Sequence, residues 1–542
     1  MRRLTIPLVF TVLSAAFSCS APEPNGNSWG DTGDGNYLNP ILAADYSDPD
    51  AIRVGDTYYM VASDFHFLGM QVLESKDLVN WKLISQIYDR FDLPGWDEMR
   101  HYAGGSWAPS IRYHDGKFWV YFCTPDEGLF MSTAEDPAGP WTPLYCVKAI
   151  PKWEDPCPFW DEDGIAYLGH SVHGAGPIIL HKMSADGKQL LDDGVTIYEG
   201  PVAEGTKFHK IGEYYYLSIP EGGVQTGWQT ALRSKDIYGP YEKKVVLETG
   251  STDINGPHQG AIVDTPSGEW WFLHFQYLDP LGRVVHLQPM HWEDGWPVMG
   301  EDYDGNGVGE PVKGWKKPKA KKAKDVFVPA SSDDFSAPVL GLQWQFNHNP
   351  VNGAWTLEDG RLRLDAQPAP FFMFARNTIT KKVMGFKGSY TVKMDCSSMT
   401  DGQSAGLACM GQTSHTLGVR QTDGQKILYL ETFGEPSDTE SFAGTDVWLR
   451  FAFDIKANSF QFAYSVDGSS FKDFGEPFPM RFGSWKGVRA GLYTYSNAES
   501  FEAGSAWFDD FVYSREDQSI GYFMPHSARS ESICSITEMV SA

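Results

Sequence analysis

The feature that most constrains this chain is a recurring turn. Five times before residue 300, a glycine-containing turn leads into a strand dense in aromatic and β-branched residues. The copies are VGDTYYMVAS around Gly55, DGKFWVYF around Gly116, DGIAYLGHS around Gly164, GEYYYLSI around Gly212 and SGEWWFLHF around Gly268. These glycines are 61, 48, 48 and 56 residues apart. Such a period, with turn-bounded strands and little helical patterning, is the mark of a β-propeller with about four strands per blade. Five copies predict five blades. A polar turn closed by an aromatic residue recurs as well, in SKDLVNW (Ser75 to Trp81), STAEDPAGPW (Ser132 to Trp141) and RSKDIYGPY (Arg233 to Tyr241), and reads as the outer strands. An open sandwich of similar hairpins is the competing arrangement.

The phase of the repeat points to chemistry. Upstream of each glycine stands one unusual residue: Asp48 seven before Gly55, Trp107 nine before Gly116, Asp155 nine before Gly164, Glu204 eight before Gly212 and His258 ten before Gly268. Equivalent positions of successive blades share a radius, so an innermost strand ahead of the turn would bring three carboxylates, a Trp and a His to the axis. Like charges at close range push at least one pKa upward. One carboxylic acid can thereby stay protonated while another stays ionised, as glycoside hydrolysis requires. The alternative is that each is a strand-end or turn carboxylate, which a chain with 70 acidic residues places cheaply.

At 542 residues the chain exceeds one ordinary core, so a further domain is expected. A net charge of -26 argues against nucleic acid and for a neutral or cationic partner. The opening MRRLTIPLVFTVLSAAFSCS has a basic start and a short apolar run, which predicts a signal peptide over residues 1–18 and export. Cys19 sits as in a bacterial lipoprotein processing site. This predicts acylation and a periplasmic or outer-membrane, cell-surface lipoprotein anchored through Cys19, with ordinary cleavage as the alternative. Residues 19–36, rich in Pro, Gly, Asn and Asp, read as a flexible tether. None of the seven cysteines has metal-ligand spacing, and most are expected to be buried thiols.

Seven lysines in KGWKKPKAKKAK open a linker over 313–330. Just before it, Asp302, Asp304, Asn306 and Gly307 mimic an EF-hand start, but the twelfth position is Lys313 rather than Glu, so a turn is expected. From Asp333 alternating segments such as GRLRLDAQ, GSYTVKMDC, WLRFAFDI and SFQFAYSV predict a β-sandwich over 331–515. Residues 516–542 lose that alternation and read as a disordered tail.

The motifs YSDPDAIRVGDTYYM, SKDLVNW, GGSWAPSI, EDPCPFWDEDGIAYL, AEGTKFHKIGEYYYL, GPHQGAIVD and GRVVHLQPMHWEDGWPV, in that order over residues 37–312, resemble glycoside hydrolase family 43. The resemblance implies a five-bladed propeller that cleaves plant cell-wall glycans with inversion. It implies Asp48 as general base, Glu204 as general acid, and Asp155 as the carboxylate that orients the acid and raises its pKa. It matches Arg283 to a substrate-contacting arginine, with a plain ion pair as the alternative, and His258 to a pocket-floor histidine that in relatives lies beside a calcium or a water, with a satisfied core histidine as the alternative. Trp107 fits a sugar-stacking wall, with a buried structural Trp as the alternative. Phe67, in the loop Phe65, His66 and Phe67, is an expected sugar contact, with packing beneath the pocket as the alternative. DDFSAPVLGLQWQFNHNP and FFMFARNTIT resemble the concanavalin-like jelly roll at the C-terminus of β-xylosidases of this family. The implied whole is an all-β inverting exo-glycosidase that removes terminal β-D-xylose or α-L-arabinofuranose from hemicellulose oligosaccharides. It needs no cofactor, and a structural Ca2+ near His258 is left open. The rivals are a retaining fructan-type propeller, whose Glu-Cys pair AEGTKF lacks, and a non-catalytic glycan-binding propeller at the cell surface.

Overall fold

The alternation between glycine turns folds into five antiparallel four-stranded sheets in consecutive order. The computed structural model describes residues 29–319, 329–498 and 503–516; the signal segment, Cys19, the end of the lysine run and the tail from 517 lie outside the described residues. Blade 1 runs from Ser47–Val54 to Trp81–Gln86, blade 2 from Trp107–His114 to Tyr145–Lys148 and blade 3 from Trp153–Trp160 to Val195–Tyr198. Blade 4 runs from Lys207–Ile211 to Glu242–Leu247 and blade 5 from His258–Asp264 to Trp296–Met299. The first strands of blades 1, 2 and 3 each contact the first strand of the next blade, and the first strand of blade 5 contacts the second and third strands of blade 4 and the first strand of blade 1, which closes the ring around the axis.

The ring is closed by the segment ahead of blade 1. Asn36–Leu38 pairs antiparallel with Gly314–Lys316, and Asn39 Nδ2 donates to the carbonyls of Leu287 and Val312 at 2.9 Å each. Lys317 pairs with Asp31 and Asp77 at 2.6 Å each. The lysine-rich segment therefore begins as a clasp, because its cations neutralise buried acids. The predicted tether likewise ends early, with Trp29 buried and Arg515 4.2 Å above its ring. The EF-hand-like stretch is a turn in which the Asp302 carboxylate accepts the N–H groups of Gly305, Asn306 and Gly307. Cys123, Cys157, Cys396 and Cys409 are buried free thiols, and Cys146 is exposed.

Beyond residue 329 two seven-stranded sheets face each other. One orders Gln345–Phe346, Ile379–Lys382, Arg489–Ser496, Gln403–Met410, Ser414–Thr422, Gln425–Thr432 and Glu435–Phe442. The other orders Trp355–Glu358, Arg361–Asp365, Ser505–Arg515, Lys387–Asp395, Asp446–Asp454, Ser459–Ser465 and Lys472–Asp473. Alternate inward residues, such as Leu407 and Leu492 against Phe451 and Phe508, build the core. That core continues into the propeller through Ala43, Tyr46, Leu281 and Val285. At the boundary Lys382 pairs with buried Asp64 at 3.0 Å, and the Arg489 guanidinium lies 3.6 Å over the Phe67 ring.

Candidate active site

Each blade meets the axis with a backbone irregularity. The first strands of blades 1, 2, 3 and 5 shift register between Ser47 and Asp50, Trp107 and Ser110, Glu154 and Cys157, and His258 and Gly260. These are β-bulges, which bend a strand and re-aim its side chains. The residue with left-handed φ is Asp48 (53°), Ala108 (33°), Asp155 (56°) and Gln259 (53°), and Gly205 (61°) takes that conformation just ahead of blade 4. Aligning the chain on its turn glycines mixes two positions, because the intervening segments differ in length. Asp48 and Asp155 occupy the left-handed position, whereas Trp107, Glu204 and His258 precede it. The true counterparts of those three are Ser47 and Glu154, so the repeat brings a fourth carboxyl to the axis.

On one side of the axis, oxygens of Glu154, Asp155 and Glu204 lie within 4.8 Å of one another. Asp155 Oδ2 accepts from the Gly205 N–H at 2.6 Å and the Ser171 hydroxyl at 3.2 Å. Burial, with Asp48 adding to it, pushes Asp155 up to about 6 against the pull of those donors and of Lys207. Glu154 Oε1 accepts the Ala175 N–H at 3.1 Å; burial and then the Asp155 charge push it up to about 8. Glu204 is held well above the usual carboxylate range, first by burial and then by Asp155, Glu154 and Asp48.

The opposite side carries a cation. Asp48 Oδ1 accepts from Arg283 Nη1 at 2.7 Å and Oδ2 from the Ser63 hydroxyl at 2.7 Å, and both side chains of the ion pair are under a tenth exposed. Arg283 is positioned by its own N–H, which donates to Asp45 Oδ1 at 2.9 Å, while Asp45 Oδ2 accepts the Gly487 N–H of the sandwich at 2.9 Å. One carboxylate thus ties the guanidinium-bearing strand to the second domain.

Trp107 is half-buried, its indole N–H donated to the Ala103 carbonyl at 2.6 Å. Its ring meets Phe65 at 6.3 Å, His173 at 5.0 Å and Trp485 of the sandwich at 6.0 Å. Trp485 also lies 5.5 Å from the Arg283 guanidinium. Phe67 is a correction: it is fully buried under Arg489 at the domain boundary and cannot reach sugar, and Phe65 is the loop ring beside Trp107. His258 is fully buried beneath the pocket, edge-on to Phe275 at 5.1 Å. Among the described residues neither ring nitrogen has a well-formed hydrogen bond, and burial, then Arg283 and His274, push its pKa down to about 3, so it is neutral. The charged group acting on it is the Arg283 guanidinium, and calcium takes oxygen donors rather than a ring nitrogen beside a cation.

Sequence reasoning missed Glu154, Asp45 and Trp485. Glu154 had a signal, two adjacent acids in EDP within a motif that aims one of them at the axis. Trp485 had none, since a loop some 380 residues beyond Trp107 shows no pattern that pairs the two.

A cation-held carboxylate facing a cluster with no guanidinium lets one pocket hold a charge and a proton at the same pH. Comparisons with known proteins agree with that chemistry. Residues 37–297 match the family model for glycosyl hydrolases family 43, and residues 332–514 that for the β-xylosidase C-terminal concanavalin A-like domain. A Xylanibacter ruminicola protein with a provisional β-xylosidase name is 56% identical over 87% of this chain and 89% of its own. The chain belongs to glycoside hydrolase family 43. Within the family, a non-reducing-end α-L-arabinofuranosidase of Bacteroides ovatus is 30% identical over 73% of this chain and 78% of its own. A solved bifunctional family 43 protein of Bacteroides eggerthii superposes with a TM-score of 0.79 at 30% identity, covering 89% of this chain and 64% of that longer one. The chain is accordingly a glycoside hydrolase, with its propeller and sandwich in the family's order.

Proposed function

We propose that this family 43 hydrolase removes a terminal pentose, β-D-xylose in the first place, from the non-reducing end of hemicellulose oligosaccharides with inversion. The observation that carries this reading is the contrast across the axis: Asp48 beside Arg283, and Glu204 raised by burial among carboxyls. Asp48 takes a proton from the attacking water, whose oxygen bonds to the anomeric carbon, while Glu204 gives its proton to the leaving glycosidic oxygen. Asp155 holds Glu204 in its protonated state. Inversion requires the two reacting carboxyls to stand about 6.5–9.5 Å apart, which leaves room for the water. Trp485 opposite Trp107 supports a closed end that admits one terminal sugar.

The 56% identity to a protein named for xylosidase activity favours xylose over arabinofuranose. Release of nitrophenol from β-D-xylopyranoside and α-L-arabinofuranoside, side by side, tests it. A preference for xyloside that Asp48→Ala abolishes is expected. Preference for the arabinofuranoside overturns the sugar, and tight xylo-oligosaccharide binding without turnover favours the binding-only propeller.

The reaction needs no cofactor in this reading, since acid, base and orienting groups are all side chains, and full activity in EDTA is the expected result. Export and anchoring through Cys19 complete the proposal. Membrane association lost in Cys19→Ser would support it, and release of wild-type protein into the soluble fraction would oppose it.

A further inference from the structure

The pocket holds one carboxyl more than a base, an acid and an orienting carboxylate require. We propose that Glu154 is a positioning residue for the reaction, one that keeps the proton on Glu204 as the solution turns alkaline. The inference rests on Glu204 acting as the acid. Glu154 occupies in blade 3 the position Glu204 occupies in blade 4, one residue before the left-handed bulge residue. In a regular strand Glu154 and Asp155 would face opposite sides. The bulge at Asp155 brings both to one cavity, where oxygens of Glu154, Asp155 and Glu204 lie within 4.8 Å.

The hydrogen bonds divide the three carboxyls. Asp155 accepts from Gly205, Ser171 and, at 3.5 Å, Gln259 Nε2, donors that favour its charged form. Glu154 accepts only the Ala175 N–H among its described bonds. The ionisable groups facing it are Asp155 on its own strand, Glu204 from blade 4, Asp48 from blade 1 and the buried Cys123 thiol from blade 2. No cation is among them. With Asp155 charged, protons remain on Glu154 and Glu204, and loss of either makes loss of the other harder. Glu154 is pushed up to about 8, so its charge appears where the acid would otherwise begin to fail.

A purely structural role exists beside this one and can be separated from it. Ala175 belongs to the loop that sets His173 against Trp107 at 5.0 Å, so the Glu154–Ala175 bond also pins the pocket rim. Glu154→Gln keeps an oxygen for the Ala175 N–H but cannot ionise; Glu154→Ala loses both.

The test is kcat/KM against pH for wild type, Glu154→Gln and Glu154→Ala on xylobiose, whose leaving group needs a proton, and on nitrophenyl xyloside, whose leaving group does not. In Glu154→Gln the alkaline limb on xylobiose should move down by about one pH unit, the scale of coupling between adjoining carboxyls, with KM near wild type and no matching shift on the nitrophenyl substrate. An unmoved limb in Glu154→Gln, with KM raised only in Glu154→Ala, would reduce Glu154 to a rim pin and overturn the proposal. A second readout does not need turnover. In protein carrying 13C-carboxyl glutamate, the Glu154 resonance should titrate at lower pH in Glu204→Gln than in wild type, and an unchanged titration overturns the coupling. Failure of the hydrolase reading would appear differently, as wild-type silence on both substrates with that coupling intact.

Discussion

Blades 1 and 4 meet the axis with the same left-handed backbone and opposite electrostatics. At blade 1 a guanidinium lies against Asp48. At blade 4 Glu204 faces the carboxyls of blade 3 and the charge of Asp48, opposed only by the weaker pull of Arg283. A repeated backbone therefore delivers side chains to one radius without deciding what they do. The neighbour decides: Arg283 from the third strand of blade 5 on one side, burial and a tandem Glu154–Asp155 pair on the other. Division of labour between base and acid arises from the asymmetry of a pseudo-symmetric ring.

The sharpest way to break the comparison is to remove each carboxyl and vary the leaving group. Asp48→Asn should lower kcat on every substrate by roughly 10²–10⁴-fold, the usual worth of general-base assistance. Glu204→Gln should show a loss of that size on xylobiose and a far smaller one on a nitrophenyl glycoside, which leaves without a proton. Equal losses on both substrates in both variants would mean that the two sites are not chemically distinct.

Stability should separate the sides in the other direction. Arg283→Met strands Asp48 in a site where both partners are over nine-tenths buried, and breaking such a pair costs about 3–5 kcal/mol. Glu204→Gln removes a carboxyl whose charged form burial already disfavours and should leave stability unchanged or raised. Urea denaturation of the two variants checks the contrast, and it fails if Glu204→Gln is the less stable protein.

Trp485→Ala probes the part of the site that belongs to neither blade. An aromatic contact is worth about 0.5–1.5 kcal/mol, so kcat/KM should fall roughly two- to tenfold, mostly through KM. A fall carried by kcat alone would show that Trp485 acts on Arg283 instead of enclosing sugar.

How much of this was legible follows from what each feature depends on. The blades were readable because a turn glycine and a strand of aromatics are local signals, and the sandwich because period-two alternation is local too. Asp48, Asp155 and Glu204 stood out because the repeat multiplied one position five times. The same device misled by one residue, since turn glycines do not register the bulge that sets each side chain's direction. Phe67 looked like a pocket residue on its neighbours in sequence, but Arg489, more than 400 residues away, claims its ring. Contacts between domains, including Asp45 with Gly487, are set by docking, and no periodicity encodes them.

The smallest effect concerns stability against pH, and its sign follows from the pKa shifts. Glu154, raised from 4.5 to about 8, and Asp155, raised from 3.8 to about 6, hold protons in the folded state that the unfolded chain has released. Their contribution is complete below about pH 4 and is lost as pH rises through the folded values. Two buried lysines of the sandwich oppose this. Lys381 and Lys486 are pushed down from 10.5 to about 7 by burial, so they lower stability most below pH 7 and less as pH climbs from 7 toward 10.5. The windows differ, and between pH 5 and 7 buried histidines act against the carboxyls. His170, His209, His258 and His348, each pushed down from 6.5 to about 3 by burial, stay neutral in the fold while the unfolded chain protonates them, so their cost fades as pH rises toward 6.5. The rise in melting temperature from pH 5 to 7 should therefore be smaller in wild type than in Glu154→Gln, at roughly 2–4 °C for each kcal/mol in a domain of this size. Lys486→Met should keep the wild-type slope in that range and flatten the alkaline rise. A Glu154→Gln melting curve that runs parallel to wild type from pH 5 to 7 would mean that the carboxyl cluster of blades 3 and 4 is as well supplied with partners as Asp48, and the electrostatic contrast between the two sides of the axis would be lost.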